Sequence, residues 1–299
     1  YIDAINHFNF GNVKMIANLV PQNMTFEEIV QTLGDDYGDK KLGILKMDVD
    51  NLGAIFAFGL KQNIDDEISL QRSLSKYLTL SRFIELFFSN RLKQICLDVS
   101  QKLESKYENI FYINYAGGDD LVIMGPIYGI VMLADRIRKE FKAYVCNPNI
   151  TLSAGIHVQS PKKPIRFGVQ MADDALEASK SYSEDDKIVK NAITIIGKTV
   201  SFEDFSNLLN KVETYRQYIL QGKISRTGFY NIMSHIQVSS IEQFYALIPK
   251  IQYAVVRQVI DEKIRNEYLK EINSIKEMSE LDHLILMMKL VILFTREVN

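Results

Sequence analysis

The hydrophobic pattern changes along the chain. Between residues 42 and 198, apolar runs of strand length alternate with segments in which apolar residues recur every three or four positions. After Lys198 only the helical spacing continues. The sequence therefore predicts an α+β domain over 42–198, followed by a separate all-α domain, a helical bundle over 199–299.

The elements predicted over 42–198 follow a known order. Leu42–Val49 is predicted to be a buried strand, and Leu70–Lys106 one long core helix. The strands Ile110–Tyr115 and Leu121–Met124 flank a turn and predict a hairpin. The other predicted elements are the helix Asn51–Leu60, the helix 128–145, the strand 150–158, the helix 167–181 and the strand 192–196. This order contains the βαββαβ core of a ferredoxin-like fold.

Further elements are predicted in the regions before and after the mixed domain. Residues 1–41 are predicted to pack on the mixed domain, with a short strand over Lys14–Pro21 and a capping box over Thr25–Glu28 that opens a helix ending near Leu33. The helices predicted in the tail lie near 203–220, 225–236, 241–259, 261–273 and 279–296.

Composition narrows the class of protein. A chain of 299 residues with 47% hydrophobic residues is expected to fold, and its net charge of -2 excludes whole-chain basic binding to nucleic acid. The cysteines, Cys96 and Cys146, build neither a zinc ribbon nor a disulfide framework, which favours a cytoplasmic protein. No apolar run is long enough for a membrane span, so no membrane partner is expected. The first residue is Tyr1, which suggests a piece of a larger protein or a processed chain.

Two carboxylates end the first predicted strand. Asp48 ends an apolar run, where an unpaired buried carboxylate is costly, and Asp50 points the same way because side chains alternate along a strand. With the Val49 carbonyl between them, they offer hard oxygen ligands to a divalent cation. The next residues open a helix whose free N–H groups suit phosphate. Taken alone, a strand-end Asp that caps this helix is the commoner explanation.

The hairpin turn carries a second acidic pair. Gly117 and Gly118 precede Asp119 and Asp120, and both residue types tolerate the positive φ of tight turns. Adjacent carboxylates repel each other unless a cation neutralises them. In a βαββαβ sheet the first strand and the hairpin are neighbours, so the two acidic pairs are expected to converge as a two-metal phosphoryl-transfer site.

These motifs resemble one known family. Leu45–Phe56 together with Ala116–Leu121 is similar to the second palm domain of the large subunit of type III-A CRISPR effector complexes, the Csm-type Cas-ten family. Leu152–Gly155, Ala172–Lys180 and Lys190–Ile195 also agree with that family. The resemblance covers about residues 14 to 197 and implies a polymerase/cyclase-type palm, whereas the helical tail matches only in type and position.

The resemblance implies a chemistry. Such a palm joins ATP molecules into cyclic oligoadenylates when the complex binds target RNA. By resemblance, Asp48, the Val49 carbonyl, Asp119 and Asp120 would hold two Mg²⁺ or Mn²⁺ ions, with Asp50 as a supporting carboxylate near them. The catalytic residues would be Asp48, Asp119 and Asp120. The residues expected to bind the nucleotide are Asn51, Leu52, Gly53, Gly117, Gly118, Ser153 and Lys180.

Structural explanations stay open for two of these residues. A lysine at a helix C-terminus is favoured by the helix dipole, which explains Lys180 as well as a phosphate role does. A small residue in a packed strand explains Ser153 equally well.

The implied partners are ATP, other Csm subunits, and CRISPR RNA with target RNA. The sequence has no His-Asp dipeptide, so the family's HD nuclease is not expected here. The family's first palm is not expected in this chain either. Because the family binds two ATP molecules between two palms, this chain by itself is expected to bind ATP but to form little product. Two alternatives stay open: a cyclic di-GMP cyclase, although GGDD is followed by Leu121 and does not match GGDEF, and a non-catalytic scaffold for complex assembly.

Overall fold

The computed structural model describes residue 17 and the ranges 19–56, 74–184 and 187–296. Its strands are β1 (Leu42–Val49), β2 (Tyr112–Gly117), β3 (Asp120–Pro126), β4 (Leu152–Gln159), β5 (Ser183–Glu184), β6 (Lys187–Ile188), β7 (Ala192–Ile195) and β8 (Lys198–Ser201). Six of them form one sheet in the order β2-β3-β1-β4-β7-β8, and β5 pairs with β6. All neighbours in the large sheet are antiparallel except β4 and β7. The stretch β2-β3-β1-β4 has the ferredoxin-like order, which confirms the predicted palm fold.

Helices cover both faces of the sheet and form the tail. The α-helices among the described residues are α1 (Phe26–Ile29), α2 (Leu52–Ala54), α3 (Leu74–Leu86), α4 (Leu92–Lys102), α5 (Ile127–Val145), α6 (Ile165–Lys180), α7 (Phe202–Leu220), α8 (Arg226–Ile236), α9 (Ile241–Gln258), α10 (Glu262–Ser274) and α11 (Met278–Thr295). A π-helical turn, Phe87–Arg91, separates α3 from α4 and interrupts the predicted long helix, whose first residues, 70–73, lie outside the described ranges. No helix in the described ranges is apolar over a length that would span a bilayer.

Both faces of β1 are covered, which explains its nearly continuous apolar sequence. Leu42 and Ile44 are fully buried on the face that packs against α6, in a cluster with Ala172. Leu45 and Met47 point to the opposite face and belong to the main core, which α5 and the helical tail complete. Side chains alternate between the two faces of a strand. The polar residues of β1 that lie after Ile44 on the same face are therefore placed beside α6.

Close packing of α6 on β4 depends on one glycine. A Cβ atom on Gly155 would lie 2.3 Å from the carbonyl oxygen of Ala172 and from the amide nitrogen of Leu176. Only a residue without a side chain lets the helix backbone approach the strand so closely. This contact fixes where the end of α6 meets the end of β1.

Strand formation continues beyond the predicted limit. The expectation that strands stop at Lys198 is wrong, because Lys198–Ser201 forms β8 and pairs with β7 through a two-residue turn. In that turn Ile196 and Gly197 both have positive φ, 50° and 70°, as a tight hairpin requires. Ser201 then caps α7 by accepting a hydrogen bond from the amide of Asp204. The division of the chain into domains at 198 stays a prediction.

The leading segment and the tail both contact the palm. The Ala17 amide donates to the carbonyl of Ala116 in β2, whereas half of the predicted strand Lys14–Pro21 lies outside the described residues. The guanidinium of Arg216, on α7, lies 5.0 Å from the ring centre of Tyr37 and 5.2 Å from that of Tyr128. This cation therefore joins the leading segment, α5 and the tail. The capping box at the start of α1 and the five predicted tail helices are confirmed.

Candidate active site at the edge of the sheet

Asp48 and Asp120 are direct neighbours on two strands. In the antiparallel pairing of β1 with β3, Asp48 lies opposite Asp120. On its other side, Asp48 lies opposite Ser153 of β4. Opposed residues in such a pair have Cα atoms about 4.5–5.5 Å apart. Two predicted catalytic carboxylates from distant parts of the chain therefore meet at one edge of the sheet.

The hairpin turn brings Asp119 to the same edge. Gly117 pairs with Asp120, which leaves Gly118 and Asp119 as a two-residue turn. Gly118 has a φ of 75°, a left-handed conformation that glycine adopts without strain. The Val49 amide donates a hydrogen bond to the Asp119 carbonyl at 3.0 Å, which holds the turn against the end of β1.

The carboxylates at this edge disfavour one another's charged forms. The pKa of Asp120 is raised, first by burial and then by the charges of Asp119 and Asp48. Burial is also the largest influence on Asp48 and raises its pKa, while Lys180 opposes this and Asp119 and Asp50 add to it. Partly buried negative charges of this kind favour a bound cation.

Lys180 reaches the same edge from the end of α6. Its ammonium lies 2.8 Å from Asp48 Oδ2 and 3.3 Å from Glu177 Oε1. Burial disfavours the charge on Lys180, but its hydrogen bonds with Asp48 and Glu177 outweigh burial and raise the pKa of Lys180. The structure thus places Lys180 beside the predicted catalytic carboxylates and directs its charge at one of them, Asp48.

The side chains at this edge carry the oxygen atoms that a divalent cation prefers as ligands, but their present arrangement does not form a complete metal site. Carboxylate oxygens are the ligands that Mg²⁺ and Mn²⁺ prefer, and Asp48, Asp119 and Asp120 supply them. Across the part of the chain that the structure describes, no group of three or more His, Cys, Asp or Glu side chains is arranged to hold a metal ion. The predicted metal ligation therefore stays a prediction, and at Asp48 Oδ2 a cation would compete with the Lys180 ammonium.

Asp50 lies behind the edge. Only 1% of the residue is exposed. Its carboxylate accepts hydrogen bonds from the hydroxyls of Thr151 and Ser153, both at 2.7 Å, and from the Asn191 amide at 3.1 Å. Both oxygens are thus used within the protein, and the expected role of Asp50 as a supporting carboxylate near the metals stays a prediction. Ser153 is fully buried, so in this conformation its hydroxyl serves Asp50 and does not face a nucleotide base.

The turn that follows β1 is held from across the sheet. Asn51 adopts a left-handed φ of 57°, and its side-chain oxygen accepts a hydrogen bond from Lys190 Nζ at 2.8 Å. The helix predicted after it is described only as the short α2, since residues 57–60 lie outside the described ranges. Among the described residues, no atom lies within 4 Å of a Cβ placed on Gly53, so on that side the backbone is open to a ligand. Nucleotide binding by Asn51, Leu52 and Gly53 stays a prediction.

Sequence reasoning missed several side chains around the edge. Lys46, two positions before Asp48 on the same strand face, forms an ion pair with Asp173 of α6. The period-two rule applied to β1 identifies Lys46 as a neighbour of the site. Thr151 and Asn191 hold Asp50 from distant segments, and no local sequence signal reveals that contact.

The fold and the candidate site together define the class of domain to which the chain belongs. A ferredoxin-like sheet with acidic residues at the end of its central strand and in the adjoining hairpin turn is a polymerase/cyclase-type palm. The family model of the second palm domain of Cas10/Cmr2 matches residues 41–193. The chain belongs to this family, and it is the palm region of the large subunit of a type III CRISPR system.

The curated relatives that the chain resembles are proteins of subtype III-A. Over 187 residues it is 40% identical to the single-strand-specific deoxyribonuclease Cas10/Csm1 of Methanocaldococcus jannaschii, covering 60% of this chain and 23% of the relative. The Streptococcus thermophilus protein of the same name is 33% identical over 151 residues, covering 50% of this chain and 18% of that protein. The chain thus spans less than a quarter of these relatives.

The likeness of fold extends over almost the whole chain. The crystal structure of a Csm1–Csm4 cassette in complex with cA4 superposes with a TM-score of 0.64 at 19% sequence identity. That superposition covers 93% of this chain and 40% of the other. The helical tail therefore belongs to the shared fold as well as the palm.

Proposed function

We propose that this chain is the nucleotidyltransferase palm that converts ATP into cyclic oligoadenylates in a type III-A CRISPR complex. The observation that carries the proposal is the pairing of Asp48 with Asp120 at the sheet edge, with Asp119 in the adjoining turn. The Csm1–Csm4 cassette that shares the fold was crystallised with cA4, which supports a nucleotide product for the same region.

The residues at the edge divide into cation ligands and nucleotide ligands. Asp48, the Val49 carbonyl, Asp119 and Asp120 would hold two Mg²⁺ or Mn²⁺ ions. When bound, such ions neutralise phosphate charge and orient the reacting oxygens. Lys180 would leave Asp48 and bind the triphosphate as a point charge.

Most of the groups that this chain would contribute to the mechanism position other side chains or the substrate. Asp50, fixed by Thr151 and Ser153, anchors the end of β1 to β4 and thereby sets the direction of Asp48. The open backbone at Gly53 would let the phosphates approach its N–H groups closely. Asp50 is thus assigned as a positioning residue.

Turnover would require partners. The chain spans less than a quarter of its curated relatives, and the proposed substrate lies between this palm and a second one. We assign those partners as the first palm, other Csm subunits, and CRISPR RNA with target RNA. The chain alone is expected to bind ATP with a divalent cation and to release little or no product.

The test is a double substitution in the assembled complex. Asp119→Ala with Asp120→Ala should abolish conversion of ATP to cyclic products, measured by chromatography after target RNA is added, while RNA cleavage by other subunits continues. The matched control removes two exposed acidic residues of α10, Glu262→Ala with Glu267→Ala, and should leave the output unchanged. Undiminished product from the Asp119 and Asp120 variant would overturn the proposal.

A further inference from the structure

A cavity of about 160 Å³ lies behind the catalytic edge. It is bounded by the end of α5, the loop before β4 and the start of α7. Thr151 and Asn191 belong to its wall, and the same two residues donate hydrogen bonds to Asp50. The wall of the cavity is therefore connected to the acidic edge through Asp50.

Two cations line this cavity and share one carboxylate. The side chain of Arg138 is only 8% exposed, and its guanidinium lies 5.9 Å from the ring centre of Phe202. Arg138 Nη2 lies 3.4 Å from Glu203 Oε1, and Lys142 Nζ lies 3.3 Å from the same oxygen. Both contacts are at the long end of the hydrogen-bonding range. With two cations against one carboxylate, the lining carries one excess positive charge.

The Glu203 carboxylate is only weakly held between Arg138 and Lys142. Its side chain is 67% exposed, so it can turn into solvent without a burial cost. Arg138 has no such freedom, because its buried guanidinium needs an anionic or hydrogen-bonding partner at all times. The first turn of the 19-residue α7, which contains Glu203, adds the positive end of a helix dipole to the same place.

We propose that this cavity binds a small phosphate-bearing anion, which replaces the Glu203 carboxylate between Arg138 and Lys142. The planar fork of an arginine matches two phosphate oxygens, and the neighbouring lysine supplies a second charge. The size of the cavity suits phosphate or pyrophosphate and leaves no path for a nucleic-acid strand. The site is distinct from the acidic edge and does not depend on the proposed nucleotidyl transfer.

Calorimetric titration of the 299-residue chain with sodium phosphate and with pyrophosphate tests the proposal. EDTA removes divalent cations, nucleotide is omitted, and sodium chloride keeps the ionic strength constant. Saturable binding is expected. Lys142→Met should weaken it by about tenfold, the loss of one charge-assisted hydrogen bond. Lys139→Met is the matched control, since Lys139 is also an exposed lysine of α5 held in an ion pair, and it should change the affinity by less than about twofold.

Removal of the internal competitor gives the sharper result. Glu203→Gln leaves a side chain of similar size but no charge, so the anion should bind about three- to tenfold more tightly than to the wild type. Arg138→Met should abolish binding, with circular dichroism to confirm that the variant folds. Heats that do not saturate, equal effects of Lys142→Met and Lys139→Met, or unchanged affinity in Glu203→Gln would each overturn the proposal.

Discussion

The Lys180 ammonium and the Asp48 carboxylate form an ion pair 2.8 Å long at the point where α6 and β1 both end. Both residues were predicted to be functional, one for phosphate and the other for a metal ion. In this arrangement Lys180 neutralises the carboxylate that the proposed function assigns to a cation. Metal binding at Asp48 and the ion pair therefore compete.

That competition makes Lys180→Met informative. Without the ammonium, Mn²⁺ alone should bind the chain more tightly, because Asp48 is free. ATP with Mn²⁺ should bind about tenfold more weakly, because one charge-assisted contact to the triphosphate is lost. Both affinities can be measured by calorimetry, with Mn²⁺ also followed by electron paramagnetic resonance.

Lys162→Met is the control for this experiment, since Lys162 is an exposed lysine in the loop that precedes α6. It should alter neither affinity. Unchanged ATP binding in Lys180→Met would remove Lys180 from the nucleotide site.

The raised pKa of Asp120 predicts a pH-dependent stability in metal-free buffer. Burial first, and then Asp119 and Asp48, make the ionised form unfavourable in the folded state. The folded protein therefore holds this proton more tightly than the unfolded chain, so stability falls as pH rises from the ordinary Asp pKa through the raised value.

Asp120→Asn should remove this effect. At pH 7 in EDTA the variant should be more stable than the wild type by about 0.2–1 kcal/mol, a small value because solvent screens a partly exposed group. The advantage should shrink as pH falls through the ordinary Asp pKa of about 3.9 and vanish at about pH 3, where Asp120 is protonated in both states. Urea unfolding at the two pH values measures it, and a variant less stable at pH 7 would show that the charge is compensated.

Gly53→Ala separates ligand access from folding. A Cβ atom there meets no atom of the residues that the structure describes within 4 Å, and alanine is the better helix former, so stability should be equal or about 0.5–1 kcal/mol higher. ATP affinity should nevertheless fall, because the methyl group obstructs approach to the backbone. Gly34→Ala, at another glycine with open space around it, is the control and should bind ATP normally. Equal ATP affinity in both variants would place the phosphates elsewhere.

The buried carboxylate network predicts a structural cost at Ser153. Ser153→Ala removes one of the hydrogen bonds to Asp50 and should lower the free energy of unfolding by about 1–3 kcal/mol, because the bond is buried and charge-assisted. Ser234→Ala, on the exposed side of α8, should change stability by less than about 0.5 kcal/mol. A Ser153→Ala variant of normal stability that binds ATP poorly would instead restore the predicted base contact.

The hairpin and the first strand were predictable because their signals are local. The apolar run of β1 and the Gly118 turn each specify their own geometry within a few residues. The meeting of Asp48 with Asp120 then follows from strand order, so sequence reasoning located the edge of the site correctly.

Other features could not be predicted from the sequence, because they depend on contacts between residues that are far apart along the chain. β8 has four residues, and Val200 is the single buried apolar one among them, which is too little for an alternating pattern. Periodicity shows which face Asp50 occupies but not that Ser153 and Asn191 will use its oxygens. Lys180 was predicted to be a functional residue. Its ion pair with Asp48, however, depends on the packing of α6 on β4, which local sequence does not reveal.

The most direct measurement is a crystal structure of the chain with ATP and Mn²⁺, with the metal located by its anomalous scattering. The account predicts metal about 2.0–2.3 Å from carboxylate oxygens of Asp48 and Asp120, with the Lys180 ammonium moved from Asp48 to the triphosphate. Metal and nucleotide bound elsewhere on the chain, with the Lys180–Asp48 ion pair intact, would contradict it.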